Sequence, residues 1–169
     1  MEAQMPELNL KQLIQTVRET QSGYFKLTVI VGPSGAGKTR LLKQISQEFG
    51  VPVVNLNLLM SERLLSLTKK QRSLNAEEAA TESIDSQGQT SLCIDNTELL
   101  FDSSLRMNPL KFLQDVSRNR HVIATWNGVI NSGELRFAQP GHPDFFSQKV
   151  KGYPVVSLEE DKLQLHLTT

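Results

Sequence analysis

Apolar positions fall into short runs of two kinds, helical and extended, that alternate from one end of the chain to the other. Leu10, Leu13, Ile14 and Val17 recur at helical spacing, with Asn9 placed to cap the segment and Gly23 to end it. Tyr24 to Val31 (YFKLTVIV) is β-branched and aromatic and predicts a strand. A glycine-rich turn, Gly32 to Thr39, comes next. Arg40 to Phe49 predicts a helix with Leu41, Leu42 and Ile45 inward, closed by Gly50. Val51 to Leu56 predicts a second strand, with Pro52 marking its start or a sheet edge. Residues 58–87 are helical in pattern, in two pieces. Leucines give the first an apolar side, from Leu58 to Leu67. The second, Asn75 to Ser86, is rich in Ala and Glu and predicts an exposed helix or one covered by a partner.

Ser91 to Asp95 predicts a third strand, and His121 to Trp126 a fourth. Between them, Pro109 to Arg118 opens with proline in a first-turn position and predicts a helix. Asn127 to Tyr153 is rich in Gly and Pro and predicts a loop with short helical turns. Val155 to Leu158 predicts a fifth strand. Leu163, Leu165 and Leu167 alternate after Glu159-Glu160-Asp161-Lys162, which predicts a C-terminal hairpin.

Strands alternating with helices predict a mainly parallel five-stranded sheet covered on both faces, in a three-layer α/β fold. Ligands of such folds sit at the carboxyl ends of the strands. At 169 residues the chain is expected to be a single domain, 1–169. Lys and Arg number 18, and Asp and Glu 18, so there is no whole-chain attraction to nucleic acid or to an anionic membrane; the short basic run Lys69-Lys70-Gln71-Arg72 reads first as a solvated helix end, with a phosphate-backbone contact as the alternative. No apolar run approaches the ~20 residues of a membrane helix. Met1 to Leu10 is polar and acidic, unlike a secretory leader. The single Cys93 excludes an intrachain disulfide framework and fits a reducing, cytoplasmic setting.

Gly32-Pro33-Ser34-Gly35-Ala36-Gly37-Lys38-Thr39 matches G-x-x-x-x-G-K-[ST] in full, between an apolar strand and an amphipathic helix. Glycines let the backbone curl so that successive N–H groups point at phosphate oxygens, and the helix start adds its positive end. The motif predicts an ATP site from Gly32 to Arg40, with Lys38 on the β- and γ-phosphates and the Thr39 hydroxyl on Mg²⁺. Asp95 ends an apolar strand, the Walker B pattern, and is the second residue expected to support Mg²⁺; the bland reading is a helix cap.

The next residue is Asn96 rather than a second acid. Glu98 becomes the candidate base for the attacking water if the chain turns sharply after the strand; otherwise it is an acid favoured by a helix start. Asn127, ending the fourth strand, is the candidate γ-phosphate sensor, with Thr125 second. The alternative for Asn127 is a turn residue beside Gly128. Arg118, Arg120 and Arg136 could complete a site in trans, and Arg136 is the candidate finger because it lies in the predicted loop before the fifth strand. His142, in Pro140-Gly141-His142-Pro143, reads first as a turn residue, with a nucleotide or partner contact as the alternative.

These residues resemble the BrxF family, the small P-loop ATPases of type III bacteriophage exclusion (BREX) systems. The resemblance runs from about Leu10 to Leu158. It rests on the Gly32 to Thr39 loop, on Ile94-Asp95-Asn96-Thr97-Glu98-Leu99-Leu100-Phe101-Asp102, on Ala124-Thr125-Trp126-Asn127-Gly128, and on Phe137-Ala138-Gln139-Pro140-Gly141-His142-Pro143. It implies an ATPase component of a multi-protein defence system that methylates host DNA and blocks phage. The expected form is an AAA+-like core without a helical lid, acting as a homo-oligomer or on larger partner proteins. Two alternatives stand beside it. One is a nucleotide-gated module that does not hydrolyse ATP, which Asn96 favours. The other is a small nucleotide kinase, for which one arginine, Arg136, and two lysines, Lys149 and Lys151, across 127–153 are thin.

Overall fold

The computed structural model describes residues 7–167. The reading of Met1 to Leu10 as lacking a leader falls mostly outside them. Asn9 caps the first helix, α1 (Leu10–Glu19), in a reciprocal capping box with Gln12. Strand β2 (Leu27–Gly32) follows the two-residue strand β1 (Glu7–Leu8) and α1, and runs into α2 (Lys38–Phe49), which Gly50 closes in the left-handed conformation. Then come β3 (Val53–Asn55), α3 (Leu56–Leu64), α4 (Lys69–Asp85), β4 (Ser91–Asp95), two short 3-10 turns, α5 (Pro109–Val116) and β5 (His121–Asn127). The small strands β6 (Val129–Asn131), β7 (Glu134–Phe137) and β8 (Phe146–Lys149) precede β9 (Val155–Glu159) and β10 (Lys162–His166).

The main sheet has the order β1-β10-β9-β2-β5-β4-β3. The five strands expected from the sequence form its parallel part, β9-β2-β5-β4-β3, with β3 at the edge that Pro52 marks. The β9–β10 hairpin and β1 extend the other edge in antiparallel pairing, so the sheet has seven strands rather than five. Alternation in β2 splits the core between the two faces. Ile30 packs with Leu13, Val17, Leu42 and Ile45 of α1 and α2. Leu27, Val29 and Val31 face the opposite layer of α3, α4 and α5.

Three further expectations are corrected. Asn75 to Ser86 is not an exposed helix: it is the later part of a helix that starts at Lys69, and Ala76, Ala79, Ala80 and Ile84 are buried. Alanine leaves a helix face flat, so α4 approaches α3 closely without large apolar side chains. Arg72 reaches back from the first turns of α4 to the carbonyls of Leu64 and Leu67, capping the end of α3 rather than standing solvated.

Residues 127–153 are not a loop with helical turns. They hold the three-stranded antiparallel sheet β6-β7-β8. Ser132 (φ 51°) and Gly133 (φ 75°) make the two-residue turn of its first hairpin, both in the left-handed region that right-twisted hairpins favour. The small sheet packs through Leu135, Phe137 and Phe146 onto Phe101 and Trp126, with Phe101 and Phe137 stacked at 3.9 Å.

Candidate functional site

Gly32 is the last residue of β2, and its missing side chain is required. A Cβ there would meet the Leu158 carbonyl oxygen at 2.5 Å. The chain curls through Gly35 (φ 81°) and Gly37 (φ 99°) into α2. A cavity of about 660 Å³ opens over this loop, lined by Ser34, Gly35, Gly37, Lys38, Thr39 and Arg40 on one side and by Asp95, Asn96, Glu98 and Asn127 on the other. Gly32, Pro33 and Ala36 belong to the loop without lining this cavity. Arg40 also borders an adjoining cavity of about 460 Å³ between α2 and the β9–β10 hairpin.

Lys38 is buried, with its ammonium donating to the carbonyls of Gly32 at 2.9 Å and Pro33 at 2.7 Å. Burial lowers its pKa, against the pull of the Glu98 and Asp95 carboxylates. The Thr39 hydroxyl donates to one oxygen of Asp95 at 2.8 Å, and the Thr125 hydroxyl donates to the other at 2.7 Å. Thr125 therefore sits under Asp95 and orients it, while Asn127, one register step beyond, reaches the cavity. The same carboxylate helps to push the neighbouring Cys93 thiol up to about 12, after burial, so this thiol stays protonated and unreactive.

After β4 the chain turns sharply at Asn96, whose φ is 53°. The Thr97 hydroxyl donates to the Thr125 carbonyl at 2.8 Å and pins the turn to β5. Glu98 then opens a 3-10 turn and points into the cavity. Its carboxylate accepts from Asn57 Nδ2 at 2.9 Å and from Asn127 Nδ2 at 2.5 Å. Asn57 was not among the expected site residues. Its side-chain carbonyl also accepts from Leu99 N–H at 2.8 Å. The sequence signal was only a polar residue at the entry to a helix, and nothing local pairs positions 57 and 98. Gln44 and Gln47, on the face of α2 one and two turns beyond Arg40, also line the cavity.

Thus Lys38, Thr39, Asp95, Glu98 and Asn127 are gathered in one place, and Arg136 is not among them. It lies in β7, an ordered strand rather than a flexible loop. Its guanidinium stands 3.6 Å from Glu134, its Nε is buried without a partner, and its carbonyl accepts from Trp126 Nε1 at 3.0 Å. Arg118 lies over the Tyr24 ring and Arg120 pairs with Asp85, both at the opposite end of the sheet. His142 accepts the Asp144 N–H at 3.0 Å within its own turn.

The β2–Gly32-to-Thr39–α2 unit, the Asp95 strand one place removed from it, and the helices on both faces define a P-loop NTPase fold. No protein-family model and no curated protein matches the chain. Among solved structures it is similar to PCH-2 from C. elegans, at 18% identity over 70% of this chain and 36% of that one, with a TM-score of 0.44. It is also similar to the Walker-type ATPase paby2304 of Pyrococcus abyssi, at 16% identity over 69% of this chain and 44% of that one, with a TM-score of 0.34. The chain thus spans less than half the length of either solved chain.

Proposed function

We propose that the chain binds Mg-ATP over the Gly32 to Thr39 loop and hydrolyses it, slowly or on contact with a partner, as an AAA+-like ATPase component of a multi-protein bacterial anti-phage (BREX) system. The observation that carries the ATP reading is the 2.8 Å hydrogen bond from Thr39 to Asp95. It joins the two metal-supporting positions of the motif, 56 residues apart, at the mouth of the phosphate loop.

The donor set suits the ligands. Backbone N–H groups of the loop and the start of α2 favour phosphate. Lys38 supplies the charge for the β- and γ-phosphates. The Thr39 hydroxyl and Asp95 carboxylate are hard oxygen donors of the kind Mg²⁺ takes, directly or through water. Bound there, Mg²⁺ neutralises phosphate charge. Glu98 orients the attacking water and takes its proton as the bond from the γ-phosphorus to the leaving ADP oxygen breaks. Asn57 and Asn127 hold Glu98 in place. Arg136, outside the cavity but partly exposed, would act in trans on a second copy or a larger assembly by leaving its 3.6 Å contact with Glu134. The defence role rests on the resemblance of four segments to the BrxF family, and a cytoplasmic setting accords with the single Cys93. Among the described residues no helix is long and apolar enough to cross a membrane.

A second reading is a nucleotide-gated module without turnover. Asn96 in place of a second acid favours it, as does the engagement of both Glu98 oxygens by asparagine amides. The kinase reading has no comparable support, since 127–153 carry one arginine, Arg136, and it does not line the cavity that would hold the two phosphorylated substrates.

The test is calorimetric binding of Mg-ATP together with phosphate release, for the wild type and Lys38→Ala. Loss of a charge-assisted contact of about 1.5–3 kcal/mol should weaken binding by roughly ten- to a hundredfold. Unchanged binding in the variant removes the nucleotide reading. Tight binding by the wild type without phosphate release favours the second.

A further inference from the structure

A further cavity, of about 710 Å³, lies at the start of α4 and is lined by Lys69, Lys70 and Arg106 together with Ser73, Leu74, Ser103 and Ser104. No acidic side chain lines it, and none of the three cations has an ion-pair partner among the described residues. Lys69 and Lys70 occupy the first turn of a 17-residue helix, where the positive end of the dipole disfavours them. The local sequence thus concentrates positive charge where helix stability alone would select acids, in a chain of zero net charge.

Ser103 and Arg106 also border a smaller cavity of about 190 Å³ whose walls mix aromatic and polar side chains. Its walls include Phe145, which is 37% exposed, and Phe146, which is anchored in the aromatic cluster. Two acids edge this cavity, each hydrogen-bonded to neutral serine groups that hold it in place while its charge remains. Asp102 accepts from the Ser104 N–H at 2.9 Å and from its hydroxyl, and Asp144 accepts from the Ser103 N–H at 2.9 Å. A basic hollow therefore opens directly beside an aromatic one.

From this juxtaposition we infer that the α4–Arg106–Phe145 surface binds single-stranded nucleic acid. Lys69, Lys70 and Arg106 take successive phosphates, and an unstacked base lies against Phe145. Backbone-tracking cations combined with an aromatic platform are what single strands require. A duplex keeps its bases paired and cannot offer one to Phe145. An acidic peptide would satisfy the cations and leave the aromatic hollow unused. The site is separate from the phosphate loop and does not rest on the ATP reading.

The experiment is fluorescence anisotropy of a labelled oligothymidine about twelve nucleotides long, within the usual range of single-strand site sizes, without nucleotide. The expected affinity falls with salt at a log–log slope of about −2, from three phosphates at roughly −0.7 each. Lys69→Glu/Lys70→Glu should weaken binding at least tenfold while its melting temperature stays level or rises, because acids suit the first turn of a helix. That pairing separates lost recognition from lost folding. Phe145→Ala should cost roughly five- to a hundredfold without changing the salt slope. The inference is overturned if the wild type does not bind, if the charge-reversed protein binds as well as the wild type, or if Phe145→Ala changes nothing. It is equally overturned if a duplex of the same length or polyglutamate binds as tightly as the single strand.

Discussion

Asn57 donates its side-chain amide to Glu98 at 2.9 Å and accepts the Leu99 N–H on its carbonyl at 2.8 Å. One residue at the start of α3 thereby orients the carboxylate and the turn that carries it, 41 residues further along the chain. With Asn127 on the other oxygen, the carboxylate has little freedom to rotate. Positioning of this kind acts on turnover more than on affinity.

Glu98→Gln should keep Mg-ATP binding and lower turnover by about 10²–10⁴-fold, the range for a lost general base. Asn57→Ala should lower kcat by a smaller factor with KM for ATP little changed. Steady-state phosphate release checks both. Wild-type turnover in Glu98→Gln would reduce Glu98 to a turn-opening residue.

Arg136→Ala should leave the ATP affinity of the isolated chain nearly intact. If Arg136 serves a neighbouring site, specific activity of the wild type rises with protein concentration, since a finger supplied in trans contributes ~10³–10⁵ in rate. The variant should flatten that rise. Phosphate release across a wide dilution series is the measurement. Constant activity per molecule in the wild type, with a monomeric mass in Mg-ATP, excludes assembly of this chain with itself.

Gly128→Ala should be severely destabilising. A Cβ at Gly128 would lie 1.9 Å from the Arg136 carbonyl oxygen, the same oxygen that Trp126 Nε1 bonds. The small sheet is sealed to β5 at that point, so backbone must move. A loss of about 3 kcal/mol or more, and a Tm lower by roughly 6–12 °C, is expected. Thermal melting followed by circular dichroism decides it.

Stability should fall as pH drops below about 6.5. Burial lowers the pKa of His121 and of His166 below the ordinary 6.5. The unfolded chain then binds more protons than the folded one, so the stabilising contribution is complete above 6.5 and is lost on acidification toward the folded values. His121 Nε2 sits 3.0 Å from the Val17 carbonyl and 2.9 Å from the Thr20 hydroxyl, and His166 Nε2 lies 2.9 Å from the Ser157 hydroxyl. Urea unfolding of the wild type and a His121→Gln/His166→Gln variant between pH 5 and 8 should show the slope flattened in the variant.

Local chemistry was sufficient for much of this protein. The Asn9 cap, the Gly50 stop, the five parallel strands and the C-terminal hairpin follow from short-range period and turn residues. The glycine-rich loop follows from eight consecutive positions that match G-x-x-x-x-G-K-[ST]. What the tertiary structure decided concerns contacts between distant segments. The β6-β7-β8 sheet was illegible because its strands are three or four residues long and owe their order to Phe101 and Trp126 beneath them rather than to any alternation of their own. The burial of α4 was illegible because alanine signals no face until a neighbour packs on it. Asn57 and Glu98, Thr125 and Asp95, Gly128 and the Arg136 carbonyl are pairs that only the folded sheet brings within bonding distance. A hydrogen bond depends on positions in space, and neither period nor spacing along the chain encodes those.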